Sequence, residues 1–149
     1  MKKIFITAVI MLFFSLDSMA QVEFKVITSV ESIVPAGLGR SRIISAEEEK
    51  NYKDYTSEQT KDDKTRNKSK RGDIRVKDFE ETKLLNFFNI GGIRFQNIAA
   101  NDAVITSKIN AMVNDGWELA FVTSAVESDS GKGDGNGIFI TRYIFKRTN

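Results

Sequence analysis

Residues 47–78 restrict what this chain can fold into more than any other stretch. Glu47 to Asp78 holds 19 charged residues in 32, ten basic and nine acidic, and between Ala46 and Ile74 the only large apolar side chains are Tyr52 and Tyr55. Fixing one residue's backbone costs about 1–2 kcal/mol, and a segment this poor in apolar surface cannot offset that cost by burial. Its mixed signs argue against a tail that captures a partner of one charge. The composition predicts a solvated, flexible insertion, disordered or transiently helical. The core must come from the residues on either side.

The N-terminal flank begins with an address. Lys2 and Lys3 precede Ile4 to Leu16, an apolar run interrupted only by Thr7 and Ser15, and Ser18-Met19-Ala20 closes it with small residues at its first and last positions. Charged start, apolar stretch and small-x-small exit are the order of a secretory signal peptide, and the run falls short of the ~20 residues of a membrane span. We expect cleavage after Ala20, an exported domain over residues 21–149, and a periplasmic or secreted location. That domain carries 20 basic and 19 acidic residues, a balance that gives no electrostatic reason to bind nucleic acid or an anionic membrane. No later segment is long enough to insert into a membrane.

The alphabet excludes much chemistry. The chain has no cysteine, so it must hold together by packing alone, without disulfides, and it offers no thiolate and no cysteine for a lipid anchor. It also has no histidine. That removes imidazole zinc sites, the usual nucleophile–imidazole pairs and the commonest general base near neutral pH. Neither a metal nor a cofactor is expected.

Outside the charged stretch, the apolar pattern sets the elements. Val22, Phe24, Val26 and Val30 alternate with Glu23, Lys25 and Ser29, which is the period of a half-buried strand. Pro35 cannot donate to a ladder and marks an edge or an end. Ala36-Gly37-Leu38-Gly39 then turns the chain into Arg40-Ser41-Arg42-Ile43-Ile44. Leu85 to Ile98 reads as a hairpin turning at Gly91-Gly92. A rival reading makes Phe79 to Asn89 a short helix with Asp78 as its cap. Farther on, Ile105, Ile109, Met112 and Val113 fall on one helical face. This predicts a main helix from about Asp102 to Asp115, capped by Asn101 or Asp102. Trp117 to Val126 and Ile138 to Arg147 read as strands, joined by an acidic, glycine-rich turn. In the last strand Ile138, Ile140 and Ile144 oppose Phe139, Tyr143 and Phe145; in the other, Ala120, Val122 and Val126 oppose Leu119 and Phe121. A sheet wetted on one side alternates apolar with polar, so both faces are expected to be covered. The helix covers one; Leu84 to Ile98 or the second subunit of a homodimer covers the other. The fold class is α+β: a small antiparallel sheet packed on one main helix.

Asp115-Gly116-Trp117-Glu118-Leu119 at the helix exit, with Tyr143-Ile144-Phe145-Lys146-Arg147 in a closing strand, resembles the small bacterial domain of unknown function 4177. The resemblance covers Asp102 to Arg147 and the first strand, and it implies a strand–helix–strand–strand core. Ile33 to Ala100 departs from the short family pattern and is similar to the middle segment of longer exported relatives. The family brings a fold and no activity. Gly116 and Trp117 are its structural signature here: the glycine lets the chain leave the helix with positive φ, and the indole closes the end of the core.

Few residues suggest a site. Arg40 and Arg42, two apart after a glycine turn, can point to one side of an extended chain and bind an anionic ligand such as a carboxylate or sulfate; an edge strand with solvated arginines is the plainer reading. Asp129 to Gly137 invites a calcium loop, but aligning Asn136-Gly137 with the turn of that motif puts Lys132 and Tyr143 where it needs carboxylates, so the motif fails. These features predict a non-catalytic domain that binds a partner protein or an anionic ligand, or supports an envelope complex. The alternative is an envelope hydrolase or lyase working through carboxylates such as Glu118 and Asp129, brought together only by the fold.

Overall fold

The computed structural model describes residues 21–32, 41–89, 91–126 and 137–148. Its main body is a five-stranded antiparallel sheet with one long helix on one face. β1 (Val22–Ser32) is the central strand. On one side it pairs with β2 (Arg42–Ala46), which pairs with β3 (Phe79–Lys83). On the other it pairs with β7 (Ile138–Thr148) from Val22–Thr148 to Ser32–Ile138, and β7 pairs with β6 (Glu118–Val126). The strand order is β3-β2-β1-β7-β6.

The charged segment leaves this sheet and returns to the same place. Ala46 lies opposite Phe79, and the Glu47 N–H donates to the Asp78 carbonyl at 3.0 Å. Residues 47–78 are thus the connection of the β2–β3 hairpin. They bury no side chain, as their composition requires, and form one 3-10 turn (Tyr52–Tyr55) and the single-turn α1 (Arg71–Ile74). Local bonds hold the shape: Asn67 donates to the Asp54 and Thr56 carbonyls, and the Tyr55 hydroxyl to that of Asp73.

Between β3 and the helix the hairpin expectation holds in reduced form. β4 (Phe88–Asn89) pairs with β5 (Gly92–Ile93), with Phe88 opposite Ile93 and Asn89 opposite Gly92. Gly92 therefore lies inside the pair, with φ 95°, rather than in the turn with Gly91. The rival helix over Phe79–Asn89 is overturned, because Phe79–Lys83 is the strand beside β2.

The main helix, α2, spans Phe95–Asn114 and starts a full two turns before the expected Asp102. Neither Asn101 nor Asp102 caps it. Asn101 lies inside the helix at 1% exposure; its carboxamide accepts from the Leu85 N–H at 2.8 Å and donates to the Leu85 carbonyl at 2.7 Å and to Glu31 Oε1 at 2.8 Å. A side chain that bonds across the fold, instead of to its own helix, lets the helix continue through it. Ile105, Ile109 and Met112 carry the core-facing stripe, joined by Ile27, Ile43, Leu84, Trp117 and Phe145; Val113 stays exposed. At the exit Gly116 has φ 85°, its N–H bonds the Val113 carbonyl, and the Trp117 N–H bonds that of Met112. This pair of bonds is the Schellman ending that glycine permits.

Leu84 belongs to that same core. The Leu84–Ile98 segment therefore lies on the helix side of the sheet, and the expectation that it covers the other face is overturned.

Candidate functional site

The register sorts every strand residue onto one of two faces. On the helix side lie Ile27, Ser29, Ile43, Ser45, Tyr143 and Phe145. On the opposite side β1 shows Val22, Phe24 and Val26, which are 48%, 63% and 44% exposed. The apolar alternation of β1 was correctly a strand signal, but its more apolar face is the one left open. In β6 a bulge intervenes: Leu119 lies opposite Phe145 and Phe121 opposite Ile144, so the two do not share a face as the alternation predicted. Phe121 joins the open face at 60% exposure.

Read across the strands, the open face has one continuous apolar row: Phe79 of β3, Ala46 of β2, Val26 of β1, Ile144 of β7 and Phe121 of β6. Ala46 stands opposite Val26, one step beyond the Ile27–Ser45 pair. Phe24 lies next along β1. Beside the row, Val76 returns from the charged segment and completes a groove of about 340 Å³ with Val26, Thr28, Ile44, Ala46 and Phe79. Every element of the sheet contributes one side chain, and none of the described residues covers the row.

The charged groups on this face stand around the row. Arg42 Nε bonds Glu81 Oε1 at 2.6 Å, and Lys146 bonds Glu118 at 3.2 Å. Of the two arginines singled out for an anion, Arg42 therefore sits on the open face with Glu81 already against its guanidinium, and Arg40 lies outside the described residues. Asp129 and most of the failed calcium loop also lie outside them. Glu118 is paired with Lys146 at the start of β6.

A second cleft, of about 240 Å³, opens on the helix side near the start of α2 and gathers Glu31, Asp102, Ser124 and Thr141. Two carboxylates and two hydroxyls are the raw material of acid–base chemistry. Glu31, however, is held by the buried Asn101 amide, and no group of three acidic side chains converges among the described residues. Trp117 is 8% exposed, and the Arg147 guanidinium stacks 4.4 Å from its ring while bonding Glu23 at 2.8 Å. No helix among the described residues is long and apolar enough to cross a membrane.

No family model, no curated protein and no solved structure matches this chain.

The open face was missed from the sequence because alternation gives the period of a strand and not which side is covered. The one signal was that β6 and β7 are apolar on both sides.

Proposed function

We propose that this chain is an exported, non-catalytic binding protein or accessory of an envelope complex, and that the open face of its sheet is the recognition surface. The observation that carries the reading is the uncovered apolar row from Phe79 to Phe121, with Phe79, Phe24 and Phe121 all more than half exposed. Contiguous apolar patches of more than a few hundred Å² are uncommon on soluble monomers and mark sites of interaction. The leader over residues 1–20 supports export to the periplasm or beyond, and the lack of histidine and cysteine narrows the catalytic options. The order β1, α2, β6, β7 agrees with the strand–helix–strand–strand core implied by the resemblance to the domain of unknown function 4177. The charged connection between β2 and β3 is then a solvated, flexible insertion on that core.

A photocrosslinking residue placed at Phe24 or Phe121 in the producing cell tests the surface, with Val113 on the exposed side of α2 as the control. The open-face positions are expected to give discrete crosslinked species and the control none. No product above the control at either position removes the recognition surface. Mass spectrometry of the purified protein is expected to find its N-terminus at Gln21; a retained Met1 leader in the soluble protein would contradict export by cleavage.

A further inference from the structure

We propose that the occupant of the open face is a second copy of this chain, packed sheet to sheet about a two-fold axis running along β1. The proposal rests on the reading of that face as a recognition surface. Three features of the face fit a copy of itself.

The first is charge. Glu81, Ile44, Thr28, Arg142 and Thr123 form the row next to the apolar one. A two-fold along β1 exchanges the outer strands, so Arg142 meets the partner's Ile44 and lies beside the partner's Glu81. Glu81 spends Oε1 on Arg42 and keeps Oε2 for that contact, while Arg142 has no ion pair within its own chain among the described residues. The other in-plane axis, along the apolar row, sets Arg142 against the partner's Lys146, and like charges at an interface are costly.

The second is shape. The same axis along β1 places Phe121 over the partner's Phe79, Ile144 over the partner's Ala46, and Val26 on itself. Large meets small beside the centre, and aromatic meets aromatic at both ends. Sheets packed face to face keep their strands within about 30°, which preserves these pairings.

The third is size. Five strands at about 4.8 Å spacing, with rises of about 3.3 Å per residue, give a face on the order of 600 Å² per copy. The pair buries about 1,200 Å², the lower end for specific interfaces. Glu127 to Asn136 has no large apolar side chain, and the chain leaves the described sheet at Ser32 and Val126, the end of the strands away from Val26.

Sedimentation of the purified protein across micromolar to submillimolar concentration is expected to show a monomer–dimer equilibrium. Val26→Glu places a carboxylate where single chains are open to solvent, and should weaken the dimer at least about a hundredfold by burying two unpaired like charges. Arg142→Glu, at an exposed position, should weaken it about five- to tenfold and serves if the first variant fails to fold. Val122→Lys, on the helix-side face of the edge strand β6, should leave it intact. The absence of cysteine makes a further readout clean: Val26→Cys should be joined to itself by a short bis-maleimide. A wild type that stays monomeric overturns the proposal. So does a dimer lost with Val122→Lys and kept with Val26→Glu, which would indicate pairing of β6 edges. Photocrosslinks from Phe121 exclusively to other proteins also overturn it while leaving the recognition surface standing, whereas no crosslinks at all would remove both.

Discussion

The two faces of one sheet contrast in the opposite sense to the usual rule. The face under α2 carries Ser29, Ser45, Glu23, Lys25 and Glu31 among its members, and the buried Ser29 and Ser45 hydroxyls have no hydrogen-bond partner among the described residues. The open face presents Phe24, Val26, Ile44, Phe79 and Phe121 to solvent. The covered face therefore owes its stability to a few large side chains, Ile27, Ile43 and Phe145 above all, and tolerates small polar ones between them. The open face has the apolar area, and among the described residues nothing covers it. In such a sheet, hydrophobicity alone does not tell which side the chain's own helix covers.

The sharpest way to break the comparison is to truncate one phenylalanine on each face. Phe145 is fully buried and Phe121 is 60% exposed. At concentrations low enough to hold single chains, Phe145→Ala should cost about 3–5 kcal/mol in urea denaturation. Phe121→Ala should stay within about 0.5 kcal/mol. Equal losses would mean that Phe121 is covered within its own chain, and the open face would vanish as a concept.

The next effect concerns how the chain chooses the side to cover. Asn101→Ala leaves the Leu85 N–H and carbonyl without their partner beside the core, and buried groups stranded in this way should cost about 2–3 kcal/mol together. Hydrogen exchange would show the loss first at the Leu85 amide and the start of α2. A silent Asn101→Ala would mean that the clamp does not position the helix.

Much of this fold was legible. The limits of the charged segment, Glu47 and Asp78, fall at the ends of β2 and β3, because the composition changes where burial stops. The strands at Val22, Trp117 and Ile138 were visible from their alternation, and the helix exit from Asp115-Gly116-Trp117. What was hidden depends on contacts distant in sequence. Asn101 looks like a cap when read beside Asp102, and becomes a core residue only through Leu85 and Glu31, the latter 70 positions away. The extra turns of α2 from Phe95 have no side-chain cap and no acid in the first turn to announce them. The candidate surface was hidden for the same reason: it is defined by five residues from five strands, and no local window contains the row.

A smaller effect tests whether the helix exit sets the edge of the covered face. At Gly116, φ is 85° and a Cβ would meet only Arg147 Cδ, at 4.0 Å. The space is ordinary, so Gly116→Ala should cost about 1–2 kcal/mol through the left-handed backbone alone. A substantially larger loss, read from the denaturation midpoint, would show that Trp117 and the cation stacked on it move as well.

The smallest effect lies in the groove wall of the open face. Glu48 accepts the Lys77 N–H at 3.1 Å and pairs with Lys50, and Lys77 follows Val76, which lines the groove. The Lys50 ammonium, and then the Lys77 amide, hold the Glu48 carboxyl below its ordinary value of 4.5. A carboxylate depressed in the folded chain adds stability that is present above its unfolded pKa and fades as pH falls through the folded one. The group is half-buried at most and screened by solvent, so global unfolding should barely register the change. The Lys77 amide should instead shift in NMR spectra as pH drops below the ordinary carboxylate range, with Val76 following, while the core amides of Phe145 stay still. Glu48→Gln should abolish that titration. A Lys77 shift that survives Glu48→Gln would assign the acid response to another group and free the groove wall from the charged segment.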